Sequence, residues 1–281
     1  MKTKVIKISI IGRTNAGKST LINLIVGEKI SIQNKKINTT QDLILGIKNI
    51  KNTQLIFYDT PGSNFLKSTN KNIRQFKINL WSGIDESDLI LYLVDSKTIN
   101  INFLNEQLTK LQEINKDIIM VFNKTDLVSS KKILPYIDIL NKNYKINSFF
   151  SISAKKNIGI KFLIKKFMNC SYPSNWIYEE NQITDKDDKY IFGELLRETI
   201  LSFLHKEIPY NLKIKTTQYK VLKNNDVKIK QKIIINVPRY KKIILGKKGQ
   251  MIKRVREVTQ NKISKIINKK THLYIEILNH E

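Results

Sequence analysis

The sequence predicts a doubly wound, mostly parallel α/β sheet, followed by a smaller α+β domain. Short apolar runs recur along residues 1–172, and longer segments with helical spacing lie between them, which predicts the sheet. From residue 191 to 281 the order changes to a helix, two strand-like segments, helical segments and a last strand, which predicts the second domain. Residues 173–190 are acidic and unpatterned and predict a linker.

The runs of the first part are short and rich in Ile, Val, Leu and Phe, as buried parallel strands are. They are Val5–Ile11, Leu55–Tyr58, Leu89–Val94, Ile118–Phe122 and Phe149–Ile152, with helical spacing over Ser19–Val26 and Leu104–Ile114. All of them except Leu89–Val94 lead directly into a motif. Because ligands of doubly wound sheets bind beyond the carboxyl ends of the strands, these motifs are expected to meet at one edge.

The charge of the chain is strongly uneven. The formal net charge is +26, of which +15 falls in the last 71 residues, whereas residues 171–210 carry −4. A composition bias toward lysine alone would not concentrate charge in this way, so the second domain is predicted to bind a polyanion.

Cysteine content and hydropathy exclude several classes of protein. Cys170 is the single cysteine, which rules out a disulfide framework and a cysteine-based zinc site. There is no apolar stretch of 18 residues, and Met1 runs straight into a strand-like segment without room for a signal peptide. A cytoplasmic protein is the expectation.

The first motif, Gly12–Ser19, reads GRTNAGKS and lies between a predicted strand and a predicted helix. This is the context in which such a loop wraps its backbone N–H groups around phosphates. Lys18 is expected to place its charge on the β and γ phosphates, and Ser19 to offer its hydroxyl to Mg²⁺. The predicted nucleotide-binding residues here are Gly12, Asn15, Ala16, Gly17, Lys18, Ser19 and Thr20.

The second motif, Asp59–Gly62, reads DTPG and ends a strand. Asp59 is expected to hold Mg²⁺ through water, and the Gly62 N–H to contact the γ-phosphate, although the same letters also make ordinary turns. Between the two motifs, Thr40 is expected to reach Mg²⁺ only when the γ-phosphate is present, with Thr39 as the alternative. The residues predicted to act in catalysis are therefore Lys18, Thr40, Asp59 and Gly62.

Two further motifs predict the base. Asn123–Asp126 reads NKTD, and a carboxylate at Asp126 can accept hydrogen bonds from the N1–H and N2–H₂ of guanine, a donor pair that adenine lacks. Ser153–Lys155 reads SAK and would complete the pocket through the Ala154 N–H. The predicted base-side residues are Asn123, Lys124, Asp126, Ser153, Ala154 and Lys155. Together the four motifs predict a site for GTP or GDP.

The second domain carries the loop Gly246–Gly249, which reads GKKG. Strands are predicted at Leu212–Tyr219, Val227–Asn236 and Leu273–Ile277, and helices at Ile191–Leu204, from Gln250, and at Asn261–Ile267. This is the element order of a type II KH domain, whose G-x-x-G loop approaches a nucleic-acid backbone. Ile243 and Ile244 are taken as strand residues beside the loop. The predicted RNA contacts are Gly246, Lys247, Lys248, Gly249, Lys253 and Arg254.

These residues resemble the Era family of GTPases, and the wording EIPY and ILGKKGQMIK extends the likeness over nearly the whole chain. The family loop usually has Pro where this chain has Thr14, and Arg where it has Gln41. The resemblance implies a K⁺ site at Asn15, and a slow GTPase because Ser63 stands where other GTPases carry a glutamine.

The resemblance also implies a monomer that binds the 3′ region of small-subunit ribosomal RNA and helps to assemble the 30S particle. A non-enzymatic, GTP-binding scaffold or sensor in cell division or at the inner membrane is the alternative, with peripheral contact between basic surfaces and anionic lipid.

Overall fold

The computed structural model describes residues 2–30, 43–63, 74–204 and 212–279. These residues form two compact units, the first ending at Asp185 and the second beginning at Lys186. This boundary lies inside the segment 173–190 that was predicted as a linker. None of the helices in the described ranges is long and apolar enough to cross a lipid bilayer.

The first unit is a twisted sheet with helices on both faces. Its strands are β1 (Lys4–Ile11), β2 (Ile44–Ile50), β3 (Thr53–Asp59), β4 (Leu89–Asp95), β5 (Asp117–Asn123), β6 (Ser148–Ser151) and β7 (Tyr172–Pro173). Its helices are α1 (Lys18–Val26), α2 (Arg74–Asp85), α3 (Ile101–Gln112), α4 (Leu134–Asn143) and α5 (Ile160–Cys170). The strand order is β2-β3-β1-β4-β5-β6, and the four pairs from β3 to β6 are parallel. The predicted fold is confirmed.

Alternating side chains of the strands build two apolar cores. One core packs α1 and α5 against one face of the sheet, with Leu21, Leu163 and Phe167 fully buried. The other packs α2, α3 and α4 against the opposite face, around Tyr92 and Phe122. Burial on both faces explains why the central strands read as continuous apolar runs.

Strand β2 was not predicted, and it pairs antiparallel with β3 at the edge of the sheet. The segment 173–185 lies along this edge: Ile47 donates its N–H to the Ile183 carbonyl at 2.8 Å, and the Leu45 N–H donates to Asp185 Oδ1 at 3.0 Å. The segment therefore satisfies edge groups that would otherwise be exposed.

The second unit is a three-stranded sheet covered on one face by helices. It consists of α6 (Asp188–Phe203), β8 (Leu212–Val221), β9 (Val227–Ile235), α7 (Arg239–Leu245), α8 (Gln250–Ile267) and β10 (Thr271–Asn279). The strand order is β10-β9-β8, with β9 and β10 parallel and β8 antiparallel to β9. Asp187 caps α6 by accepting from the Tyr190 N–H at 2.8 Å.

Two sequence interpretations of this unit are wrong in detail. Ile243 and Ile244 lie on helix α7 rather than on a strand, because Tyr240 and Ile244 form a buried pair at helical spacing. The helices predicted from Gln250 and at Asn261–Ile267 are one continuous helix, α8.

Candidate nucleotide site and RNA interface

The loop Gly12–Ser19 joins the end of β1 to the start of α1, with Lys18 as the first helical residue. Gly17 caps the helix with φ of 100°, a left-handed conformation that suits glycine. A Cβ on Gly17 would also collide with the side-chain amide of Asn123. The loop therefore packs directly against Asn123, the last residue of β5.

Lys18 is 7% exposed, and its Nζ donates to the carbonyl oxygens of Gly12 at 3.0 Å and Arg13 at 3.2 Å. Burial lowers the pKa of Lys18 to about 8, although the nearby carboxylate of Asp59 acts in the opposite direction. An anionic ligand bound next to this ammonium group would favour the protonated form of Lys18, which burial disfavours.

Ser19 and Asp59 bring a hydroxyl and a carboxylate together. Ser19 Oγ donates to Asp59 Oδ2 at 2.8 Å, and Asp59 is fully buried at the end of β3. Hard oxygen donors of this kind fit Mg²⁺, which takes few protein ligands when phosphates and water supply the others. The predicted ligands Thr40 and Thr39 lie outside the described residues.

The stretch after Asp59 is fastened to the phosphate loop. Thr60 Oγ1 donates to the Ile10 carbonyl at 2.6 Å, and the Ser63 N–H donates to the Gly12 carbonyl at 3.1 Å. Gly62 lies against Thr14, where a Cβ would clash with the Thr14 side chain and backbone. Gly62 is therefore placed beside the loop predicted to hold the phosphates.

Asn123 connects three of the predicted motifs. Its Nδ2 donates to the Ala16 carbonyl at 2.8 Å, and its Oδ1 accepts from the Ala154 N–H at 2.9 Å. One buried side chain thus ties the phosphate loop to the loop after β6. The Ala154 amide, which was predicted to complete the base pocket, donates to Asn123 in this structure.

Lys124 reaches a residue that sequence reasoning missed. Its Nζ forms an ion pair with Asp95 Oδ2 at 2.5 Å and donates to the Asn15 carbonyl at 2.6 Å. Asp95 ends β4, the strand that was thought to lead into no motif. An acid directly after a buried apolar run was the available signal.

The remaining base-side residues follow β5 and β6. Asp126 is exposed in a short 3₁₀ turn, Thr125–Leu127, which the Thr125 N–H holds against the Ile152 carbonyl at 3.1 Å. Ser153 is buried, and its Oγ accepts from the Lys156 N–H at 3.2 Å, while Lys155 is exposed. All four motifs therefore gather at the carboxyl edge of one sheet.

In the second unit, Gly246–Gly249 joins α7 to α8. Gly246, Lys248 and Gly249 have φ of 70°, 51° and 75°, so the turn depends on left-handed backbone at three positions. Lys247 and Lys248 are both exposed at its tip. The loop can therefore present its backbone and two cations to a polyanion.

The cations of α8 differ in their surroundings. Lys253 is exposed, whereas the guanidinium of Arg254 lies 5.0 Å from the centre of the Phe203 ring. Lys262 is engaged within the unit, since its Nζ forms an ion pair with Glu198 Oε2 at 2.8 Å. Ile244 and Val255 belong to the core, whereas Ile243 is 44% exposed.

The fold and the two sites define a P-loop nucleotide-binding domain joined to a KH domain. Residues 7–124 match the family model described as a 50S ribosome-binding GTPase, and residues 207–280 match the KH domain model. The GTPase Era of Rickettsia bellii (strain OSU 85-389) is 35% identical over 273 residues, covering 97% of this chain and 91% of the relative. That of Ehrlichia ruminantium (strain Gardel) is 34% identical over 272 residues, covering 95% and 90%.

Solved structures agree over the whole length. An Era crystal structure in complex with MgGDPNP and nucleotides 1506–1542 of 16S ribosomal RNA is similar with a TM-score of 0.91 and 30% identity, covering 99% of this chain and 94% of that one. A single-residue variant of Aquifex aeolicus Era bound to GDP·AlF₄⁻ gives 0.90 and 29%, covering 100% and 94%. The chain belongs to the Era family of GTPases.

Proposed function

We propose that this protein binds GTP at the carboxyl edge of the large sheet, hydrolyses it to GDP and phosphate, and couples this reaction to binding of ribosomal RNA. The single observation that carries the first part is the link through Asn123, whose amide is bonded to both Ala16 and Ala154. This link holds the phosphate loop next to the loop after β6, which supports the proposal that both loops bind the same nucleotide.

Each motif has a chemical task in this proposal. Lys18 binds the β and γ phosphates, the Gly62 N–H donates to the γ-phosphate, and Asp126 accepts from guanine. Ser19 and Asp59 would hold Mg²⁺, together with Thr40 or Thr39. When bound, the ion supplies positive charge next to the phosphate oxygens.

The position after Gly62 supports a slow reaction. Ser63 is fully buried, so its hydroxyl is not exposed to an attacking water, and a serine side chain is too short to take the place of glutamine. Without a residue there to orient the water, we expect an intrinsic turnover well below about one per second.

A potassium site at Asn15 is carried over from the family. Asn15 has a left-handed backbone with φ of 67°, and its carbonyl accepts from Lys124, so the residue is held firmly beside the phosphate loop. Hydrolysis should be faster in KCl than in NaCl at equal ionic strength. Equal rates in the two salts would remove potassium from the proposal.

The RNA partner we propose is the 3′ region of small-subunit ribosomal RNA, bound during assembly of the 30S subunit in the cytoplasm. Two exposed lysines on a glycine-framed loop support it, as does the RNA present in the related crystal structure. Contact with the inner membrane is not needed for this role.

The test combines the two activities. The double variant Lys247→Glu/Lys248→Glu should lose binding to an RNA corresponding to nucleotides 1506–1542, and should retain wild-type GDP affinity and basal hydrolysis. Unchanged RNA affinity would remove the loop from the interface. Absence of GTP hydrolysis by the wild-type protein, with or without RNA, would refute the enzymatic part.

A further inference from the structure

The small sheet has a face that none of the described helices of its unit covers. The residues buried beneath α6, α7 and α8, such as Ile229, Ile233 and Ile235, alternate along β9 with side chains on the opposite face. The strand register places the outward residues in four rows across the sheet. The rows are Lys220–Lys228–His272, Gln218–Lys230–Tyr274, Lys215–Lys232–Glu276 and Lys213–Ile234–Leu278.

This open face is strongly basic. Its four rows carry six lysines and one acid, Glu276, which lies 3.6 Å from Lys232. At the rim, His272 Nε2 lies 2.8 Å from the Asp226 carboxylate, which holds the pKa of Asp226 below its usual value. Lys213, Lys215, Lys220 and Lys230 are exposed, so their charges face solvent.

The placement of these lysines opposes the stability of the sheet. Lys215 lies directly opposite Lys232, and Lys220 lies directly opposite Lys228. Like charges that face each other across neighbouring strands are destabilising. A sequence shaped by folding alone would alternate the signs, as Lys232 and Glu276 do, so the uncompensated lysines indicate an anionic partner.

An aromatic side chain stands among the lysines. Tyr274 is 53% exposed, and the ammonium group of Lys228 lies 5.3 Å from the centre of its ring. Exposed tyrosines on a basic sheet can stack on unpaired bases while the lysines bind phosphates. This face is separate from the loop Gly246–Gly249, which joins two of the helices that cover the opposite face.

We propose that the open face of the small sheet is a second RNA-binding surface, which holds backbone phosphates of RNA that extends beyond the G-x-x-G loop. The proposal rests on the RNA-binding function proposed above. Anionic lipid is the less suitable partner, because lysines dominate the four described rows, whereas surfaces that bind a bilayer interface bury a set of apolar side chains in it.

The test uses the full-length protein and the RNA of nucleotides 1506–1542. Lys215→Gln/Lys230→Gln/Lys232→Gln removes three charges from the open face. A matched control in the first unit, Lys131→Gln/Lys132→Gln/Lys142→Gln, removes three charges from exposed lysines. The open-face variant should bind RNA at least about tenfold more weakly at about 0.1 M salt, and its slope of log affinity against log salt should fall by about two to three. The control should change both by much less.

A measurement without substitutions covers the case in which the triple variant does not fold. In the wild-type protein, bound RNA should protect Lys215, Lys230 and Lys232 from chemical acetylation, and should leave Lys131 and Lys132 reactive. Protection of these open-face lysines by phosphatidylserine vesicles, with none by RNA, would overturn the proposal in favour of a membrane surface.

The outcomes separate this proposal from the function on which it rests. If the triple variant folds and binds RNA with wild-type affinity and salt slope while Lys247→Glu/Lys248→Glu loses binding, the open face is not an RNA surface and the loop function stands. If the loop variant binds normally and the triple variant does not, the loop assignment fails and the open face stands.

Discussion

At the scale of single residues, the side chain of Asn123 fixes the relative position of the phosphate loop and the loop after β6, because it bonds to Ala16 and to Ala154. Lys124 is then held between Asp95 and the Asn15 carbonyl. The nucleotide would therefore meet a pocket whose walls are already connected, which lowers the cost of ordering them on binding.

The selectivity for guanine depends on Asp126. Asp126→Asn removes an acceptor of two hydrogen bonds, so GDP should bind about 10²- to 10⁴-fold more weakly, and xanthosine diphosphate, which offers an acceptor instead, should bind better than GDP. Calorimetric titration with both nucleotides measures this. Asp138→Asn, an exposed acid on α4, is the control with the same charge change. Retained guanine preference would place the discriminating acid elsewhere.

The pKa of Lys18 gives a pH dependence of binding. Because burial lowers this pKa to about 8, Lys18 loses its proton in the free protein near that pH, and bound phosphates should restore it. GDP binding should therefore take up a proton, and affinity should fall about threefold between pH 7.5 and 8.5. Calorimetry in two buffers of different ionisation enthalpy measures the uptake. Binding without proton uptake at pH 8.5 would contradict the prediction.

The same shift affects folding with the opposite sign. The lysine has its ordinary, higher pKa in the unfolded chain, which therefore binds more protons than the folded chain above about pH 8. The contribution of Lys18 to stability consequently rises as pH increases from that value toward 10.5. A rise in pH above about 8 should therefore weaken nucleotide binding and increase the stability of the fold through the same lysine.

At the scale of elements, the sequence predicted the strands that are buried on both faces, because they read as continuous apolar runs. The central strands were found because both faces are apolar, whereas β2 was missed because it is an edge strand with the mixed sequence ILGIKNI. Helix α7 was taken for a strand because its adjacent residues Ile243 and Ile244 are β-branched and apolar, as strand residues often are. Helix α8 was divided at Asn261, although Val255, Thr259 and Ile263 continue one buried stripe through it.

The site shows the same limit. The motifs identified the loops, because each one has a fixed sequence at the end of a strand. The ion pair of Asp95 with Lys124 and the bond of Ala154 to Asn123 could not be predicted, since they depend on the spatial order of β4, β5 and β6 and on their register. One-dimensional spacing carries no information on which strands become neighbours.

The segment 173–185 gives a prediction at this scale. The buried Gln54 side chain accepts from the Ile177 and Tyr178 N–H groups at 2.9 and 3.0 Å and donates to the Tyr178 carbonyl at 2.9 Å. Gln54→Ala would leave these groups without their partner, so the first unit should lose about 2–3 kcal/mol of unfolding free energy.

Urea unfolding followed by tryptophan fluorescence isolates this effect, because both tryptophans, Trp81 and Trp176, belong to the first unit. Gln112→Ala, at an exposed position, should change stability by less than about 0.5 kcal/mol. GDP affinity should be unaffected by either substitution. A stability loss for Gln54→Ala no larger than that of the control would mean that the segment is only loosely attached.

At the scale of the whole molecule, the chain divides its charge between two tasks. The nucleotide site has few cations, placed individually, and Lys18 among them is buried. The second unit carries many exposed cations, on the loop Gly246–Gly249 and on the open face of the small sheet, which we propose bind RNA. Selectivity for one small anion needs the former arrangement, and affinity for a long polyanion, with strong salt dependence, follows from the latter.

Coupling between the two ligands has a thermodynamic signature. If GTP raises RNA affinity by some factor, RNA must raise GTP affinity by the same factor, which for allosteric proteins is about 5- to 150-fold. The four dissociation constants, measured with a non-hydrolysable GTP analogue and with the RNA of nucleotides 1506–1542, test this equality.

We propose that the stretch from Asp59 to Ser63 is the physical origin of this coupling. It is bonded to the phosphate loop through the Gly12 carbonyl, so it would respond to a γ-phosphate bound at Gly62. GDP in place of the analogue should give a smaller factor, and Lys247→Glu/Lys248→Glu should return the GTP affinity measured with RNA to its value without RNA. A factor of one for both nucleotides would mean that the protein carries two independent sites on one chain.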